Sequence, residues 1–348
     1  MAYKILGNLP TAEEIIAQYP LSSSDAENVA INRHEVQNIL AGHDPRLLIV
    51  IGPCSAWPSS AVLEYAKRLA KLNQQINDVL KLVMRVYIQK PRTVTGWTGP
   101  INQPNPNALP DINHGLVYSR QMMLEVVASG LAIADEALFP SNASWFIDLL
   151  SWVAVGARSS EDPGHRIFAS SLDCAVGMKN PTHGALSVGV NGVIAAQASH
   201  TAIFENKAVE TSGNPYAHLV LRGSDGMSNY SLKHLTQVHE QMLAGVVKNP
   251  AILIDVSHDN CIIDGQKNHQ MQPRIIFDIL DSIAANKGLN NLVKGFMLES
   301  FLHNGRQDIL PQMNVEGLSI TDPCLGWDDT ERFLLELASL QRMRSVSA

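Results

Sequence analysis

Two sets of side chains in this sequence are of types that do chemistry together. The first is cationic: Arg85, then Lys90 and Arg92 in the run QKPRT, then Arg158, Lys179 and Arg222. Arginine forks bind phosphate and carboxylate bidentately, and lysine adds a point charge. Six cations exceed what one phosphate needs, which points to two anionic ligands. The second set is Cys54, His258, Glu299 and Asp322. A thiol, an imidazole and two carboxylates suit a divalent transition metal. Taken singly, each cation reads as a solvated rim residue, Cys54 as a small core side chain and Glu299 as an arginine's counter-ion. No local signature such as C-x-x-C links them, so the fold must bring them together. Asp135 and Glu136 are either acid–base groups or balance for the cations. His165, His183 and His303 read as solvated loop histidines, Cys174 as core, and Cys261 and Cys324 as unpartnered.

The elements that must position these groups recur along the chain. Eight short apolar runs start near Leu47, Lys81, Gly130, Trp152, Cys174, Ala217, Ala251 and Gly295. They are apolar without alternation, as parallel strands buried on both faces are. Longer amphipathic stretches separate them. Ser60–Gln74 repeats apolar residues at Val62, Leu63, Ala66, Leu69 and Leu72, a helical spacing, and Tyr230–Val247, Pro273–Ala285 and Asp328–Leu340 read the same way. Eight strand–helix units predict an α/β fold, a (β/α)8 barrel of the TIM type spanning 46–348. An open doubly wound sheet is the rival, but no G-x-G-x-x-G or Walker motif follows the first strand. Residues 1–45 form an N-terminal arm with a helix over Ala26–Leu40, read as an oligomerisation or regulatory element. His200–Gly213 reads as a hairpin inserted before strand six, and Gly99–Asn113 as a long loop after strand two. A barrel's site lies at its strands' C-terminal ends, where strands two, four, five and six end in Arg85, Arg158, Lys179 and Arg222.

Composition sets the outer limits. The 348 residues are 45% hydrophobic and 17% charged, with a net charge of −7. That balance argues against a general nucleic-acid or membrane-surface binder. No run approaches a membrane span and the start resembles no signal peptide, so a cytoplasmic protein is expected. Four cysteines in this length make no disulfide framework.

The motifs GPCS, MRVYIQKPRT, GW, GAR, VGMKN, TSGN, LRG, IDVSH, the ES of MLES and SITDPCLGWDDT occur in that order. Together they resemble the type I alpha class of 3-deoxy-D-arabino-heptulosonate 7-phosphate (DAHP) synthases, over about residues 5 to 340. The resemblance implies a (β/α)8 barrel that condenses phosphoenolpyruvate with erythrose 4-phosphate at the head of aromatic amino-acid synthesis. It implies metal ligands at Cys54, His258, Glu299 and Asp322, for manganese first, with iron, cobalt or zinc as alternatives. Phosphoenolpyruvate contacts fall on Arg85, Lys90, Gly156, Ala157, Arg158, Lys179 and Arg222, and the sugar phosphate on Arg92 and Thr93. Lys90 is a candidate proton donor, and with Cys54 and His258 makes the catalytic set. A homodimer or homotetramer is implied as well.

The chain also departs from that class. GPCSAWPSS stands where the class reads GPCSIHDP, KNPTHG where it reads KNGTDG, and the hairpin segment ENKAVETSGN is shorter. Altered or lost inhibition by aromatic amino acids is the expectation. The alternatives are a paralogue joining phosphoenolpyruvate to a different aldose phosphate, favoured by Trp57 and Pro181, and a non-catalytic regulatory barrel.

Overall fold

The computed structural model describes residues 2–92, 96–204, 206–309 and 315–347. The eight apolar runs all become strands of one closed parallel barrel. These are β1 (Leu47–Gly52), β2 (Leu80–Arg85), β3 (Ala132–Glu136), β4 (Trp152–Val155), β5 (Ala175–Lys179), β6 (His218–Leu221), β7 (Ile252–Asp255) and β8 (Val293–Glu299). Each pairs with its successor, and β8 returns to β1 with Met297 opposite Val50.

The strands look uniformly apolar because they feed two separate cores. Ile49, Ile51, Leu82, Met84, Val153, Val155, Leu219 and Leu221 face outward and pack with the helices. Leu48, Val50, Val83, Ala134, Trp152, Ala154, Val220, Leu253 and Met297 alternate with them and fill the barrel interior. Small residues make that interior possible. A Cβ on Gly177 would come within 2.2 Å of the Trp152 ring, so glycine there gives the indole its room.

The helices are α1 (Ala12–Gln18), α2 (Ser23–Ala41), α3 (Ser59–Ile76), α4 (Ile112–Ala128), α5 (Pro163–Ser170), α6 (Leu186–Gln197), α7 (Leu232–Ala244), α8 (Gln272–Ile283), α9 (Lys287–Leu292) and α10 (Trp327–Ser347). α2 starts at an Ser22 cap and stops at Gly42, which adopts φ 80. Its Val36, Ile39 and Leu40 join the interior core, so this helix closes the barrel's lower mouth. Burying each such side chain stabilises by about 1.5–3 kcal/mol.

One expected unit differs. Between β3 and β4 the chain forms no α-helix, only two 3-10 turns, Pro140–Trp145 and Ile147–Leu149. Proline at the head of the first turn limits its hydrogen bonding, and long-range cations claim the segment's carbonyls. Arg33 of α2 donates to the Ile147 and Leu150 oxygens at 2.6 and 2.8 Å. Buried Arg120 of α4 donates to the Trp145 oxygen at 2.7 Å and pairs with Asp148 at 2.7 Å. The expected hairpin is present as Thr201–Phe204 paired with Lys207–Glu210. No described helix is long and apolar enough to cross a membrane.

Candidate active site

The interior alternation carries the chemistry. Six of the eight inward rows run apolar up the barrel and then turn charged at or just beyond the strand's C-terminal end. Val83 is followed two residues later by Arg85, Ala134 by Glu136, Gly177 by Lys179, Val220 by Arg222, Leu253 by Asp255 and Met297 by Glu299. Side chains two apart on a strand share a face, so closing the barrel gathers this ring by itself.

The ring opens into a cleft of about 270 Å3 lined by Cys54, Arg85, Lys90, Arg92, Glu136, Ala157, Arg158, Lys179, Arg222, His258, Lys267 and Asp322, among others. The six cations singled out in the sequence therefore reach one space, although Arg158, expected to end strand four, lies three residues beyond Val155, the last residue of β4. Gly156 lies beside it, and a Cβ there would meet the Glu136 carboxylate at 2.2 Å. Thr93 lies outside the described residues.

Sγ of Cys54 and one carboxylate oxygen each of Glu299 and Asp322 lie within 4.8 Å of one another. His258 lines the same cleft but stands outside that cluster. Its Nδ1 is held by Asp255 at 2.9 Å and by the Ser257 hydroxyl at 2.8 Å, which reserves Nε2 for a ligand. A sulfur, a nitrogen and two carboxylates with an anchored imidazole fit a divalent cation.

Burial pushes the Cys54 thiol up, and Glu299 pushes it further, so an added cation is what makes a thiolate there. Burial would raise Glu299 too, but Arg85 and His258 outweigh it and hold the carboxylate below its ordinary value. Asp322 is likewise held well below, with Lys267 at 2.7 Å overcoming burial. Burial would lower Lys90, yet the Cys54 sulfur beside it and the Glu299 and Glu136 carboxylates keep its ammonium raised. It sits 3.3 Å from Cys54 Sγ.

Arg85 is buried over the Tyr87 ring, 4.3 Å from its centroid, and gives one nitrogen to Glu299 at 2.9 Å. Its Nε and Nη1 are buried without a partner among the described residues. Buried guanidinium donors are costly to leave unpaired, so these two N–H groups are suited to an anionic partner.

Three groups that sequence reasoning passed over complete the site. Asp255 accepts from Lys179 at 3.0 Å while it orients His258, joining the cation set to the ligand set. Asp259 holds Arg222 at 2.8 Å and Lys267 holds Asp322. Asp255 had a signal, since it ends an inward row in IDVSH. Asp259, in a 3-10 turn beyond β7, and Lys267, in a two-residue strand paired with Ile262–Ile263, had none. Cys324, read as unpartnered, accepts from the Cys54 N–H at 3.4 Å. Cys261 donates to the His258 oxygen at 3.3 Å. His165 is bound to Asp162 and the Leu138 oxygen, and His183 to Glu161, away from the cleft.

Asp135 points away from the cleft and accepts the Ile88 N–H at 3.2 Å. Burial, against the Glu136 and Ile88 N–H groups, pushes its carboxyl from 3.8 to about 8. A raised folded value means its stabilising contribution is complete below the unfolded value and is lost as pH rises through about 8. Asp135→Asn is thus expected to match the parent near pH 4 and exceed it near pH 8. Urea melts at the two pH values check this, and parallel losses for both proteins count against a protonated Asp135.

The sequence pattern of the DAHP synthetase I family matches residues 22–335. The Trp-sensitive phospho-2-dehydro-3-deoxyheptonate aldolase of Enterobacter agglomerans is 40% identical over 339 residues, 96% of this chain and 95% of that protein. The Tyr-sensitive one of Salmonella typhimurium is 38% identical over 336 residues, 94% and 92%. The solved phospho-2-dehydro-3-deoxyheptonate aldolase of Francisella tularensis superposes with a TM-score of 0.92 at 33% identity, covering 98% of this chain and 99% of that one.

Proposed function

The chain belongs to the DAHP synthetase I family, and on that premise we propose that it joins phosphoenolpyruvate to erythrose 4-phosphate with a divalent cation held by Cys54, His258, Glu299 and Asp322. One observation carries the reading: among the described residues, seven cations line one cleft and buried Arg85 keeps two donors without a partner. Arg85, Arg158, Lys179 and Arg222 hold the phosphate and carboxylate of phosphoenolpyruvate, and Arg92 with Thr93 holds the acceptor's phosphate. Fixing both substrates turns a two-body encounter into an oriented one and neutralises their mutual repulsion. When bound, the cation polarises the acceptor's aldehyde oxygen as a Lewis acid. The enol carbon attacks the aldehyde carbon, water adds at the neighbouring carbon, and phosphate leaves with C–O cleavage. The Lys90 ammonium, kept charged by its anionic neighbours, holds a proton for the new alkoxide.

Regulation and assembly belong to the same proposal. Ile203 of the hairpin is 79% exposed, and Ile5 and Leu6 of the arm are 74% and 91% exposed. These apolar surfaces support an arm that meets another copy, in a dimer or tetramer, and a changed or lost response to aromatic amino acids.

The test is phosphoenolpyruvate consumption with erythrose 4-phosphate on chelator-stripped protein, with and without manganese and each aromatic amino acid. Manganese-dependent turnover supports the proposal, and metal-independent turnover overturns its metal. No turnover with this acceptor but turnover with another aldose phosphate favours the paralogue that Trp57 and Pro181 suggest. Arg222→Ala is expected to raise the KM for phosphoenolpyruvate about 10- to 100-fold, the size of a lost charge-assisted hydrogen bond, and to leave the acceptor's KM nearly alone.

A further inference from the structure

Arg92 is the more exposed of the two cations in the loop after β2, and its guanidinium is held through Nε. Its Nε donates to the Trp97 backbone oxygen at 2.7 Å. Trp97 is 5% exposed and its indole N–H reaches the Gln103 oxygen at 2.8 Å. Trp57 packs against that indole. The two rings meet edge to face with centroids 6.4 Å apart at 68°. Trp57 is itself pinned, its indole N–H donating to the Pro104 oxygen at 2.7 Å. The adjoining Ala56 N–H is held by the Tyr87 oxygen at 3.0 Å. Trp57 lies three residues beyond Cys54, on the segment that leaves β1. A continuous path of contacts therefore runs from the candidate metal ligand through two indoles to Arg92.

We propose that Trp57 is a positioning residue for the acceptor substrate: by bracing Trp97 it holds the carbonyl that orients the Arg92 guanidinium toward the acceptor's phosphate. The inference rests on the reading of Arg92 given above. Trp57 itself does not line the cleft. Its effect is preorganisation, because an unbraced arginine samples many rotamers and must be re-ordered at each binding event.

The experiment is a double-mutant cycle on full-length, metal-loaded protein. Trp57→Ala is expected to raise the acceptor's KM about 3- to 10-fold, what ordering one rotamer-rich side chain at a binding site costs. The KM for phosphoenolpyruvate and kcat stay within about twofold, because the oriented phosphate contributes to binding and not to the enol attack. Inorganic phosphate competing with the acceptor weakens in parallel. Trp57→Phe, which keeps the ring edge on Trp97, restores the acceptor's KM. In an Arg92→Ala background, Trp57→Ala adds nothing further. Additive losses, or equal losses for both substrates, overturn the inference and leave Trp57 a purely structural side chain. An Arg92→Ala protein with an unchanged acceptor KM instead overturns the assignment of Arg92, and the inference with it. If Trp57→Ala does not fold, Trp57→Leu keeps the bulk, removes the ring edge and decides the same question.

Discussion

Cys54→Ala is expected to lose divalent metal and turnover together, with metal affinity down by more than about 100-fold. Removing an outer-shell partner of a metal ligand already costs about 10- to 100-fold, and Cys54 is in the ligand cluster itself. The thiol also gathers the site, accepting from the Asp322 N–H at 3.4 Å and lying 3.3 Å from Lys90. Its loss therefore loosens Asp322, a second proposed ligand, and Lys90, the proposed proton donor, at once. Metal content after dialysis and phosphoenolpyruvate consumption across a manganese titration give the two readouts. Cys174→Ala is the control: that buried thiol lies just before β5, at the N-terminal end of the barrel strands and opposite the ligand cluster, so metal and turnover should persist. An active, metal-replete Cys54→Ala protein removes the residue from the site.

Much of this arrangement was legible because strand ends are where a barrel must do its chemistry. Arg85, Lys179 and Arg222 each follow an apolar run directly, so their convergence could be read once eight runs were counted. The inward and outward rows could not be told apart by hydropathy, since both are buried: Ile49 faces helices while Leu48 and Val50 face the interior. Residue size separates them better, because Ala132, Ala134, Ala154, Ala175 and Ala251 all fall in the interior row. Counter-ions were the least legible. Among 33 acidic residues nothing local marks Asp259, whose meaning comes only from Arg222 facing it across the β6–β7 junction. The third connection misled for a related reason. Its apolar content suits a helix, but Arg33 and Arg120, distant in sequence, hold its carbonyls in 3-10 turns.

Glu299→Gln has the largest expected cost in stability, and its size separates architecture from chemistry. Arg85 and Glu299 are 1% and 2% exposed and 2.9 Å apart. Gln keeps the shape and can still accept from the guanidinium, but the Arg85 charge is then buried without its counter-charge. Breaking such a pair from one side costs about 3–5 kcal/mol, to be read from urea melts of chelator-treated protein. Metal then gives a second, independent readout. At a hundredfold excess over its Kd a ligand stabilises the folded state by about 2.7 kcal/mol, and Glu299→Gln should forfeit that gain as well. The Arg85→Met, Glu299→Gln double variant should recover part of the metal-free loss, because an apolar replacement of a buried ion pair is often neutral or better. Recovery of stability without recovery of turnover would mean that the pair is kept for the anion and the metal it holds. A double variant no more stable than Glu299→Gln alone would instead assign the pair to the fold.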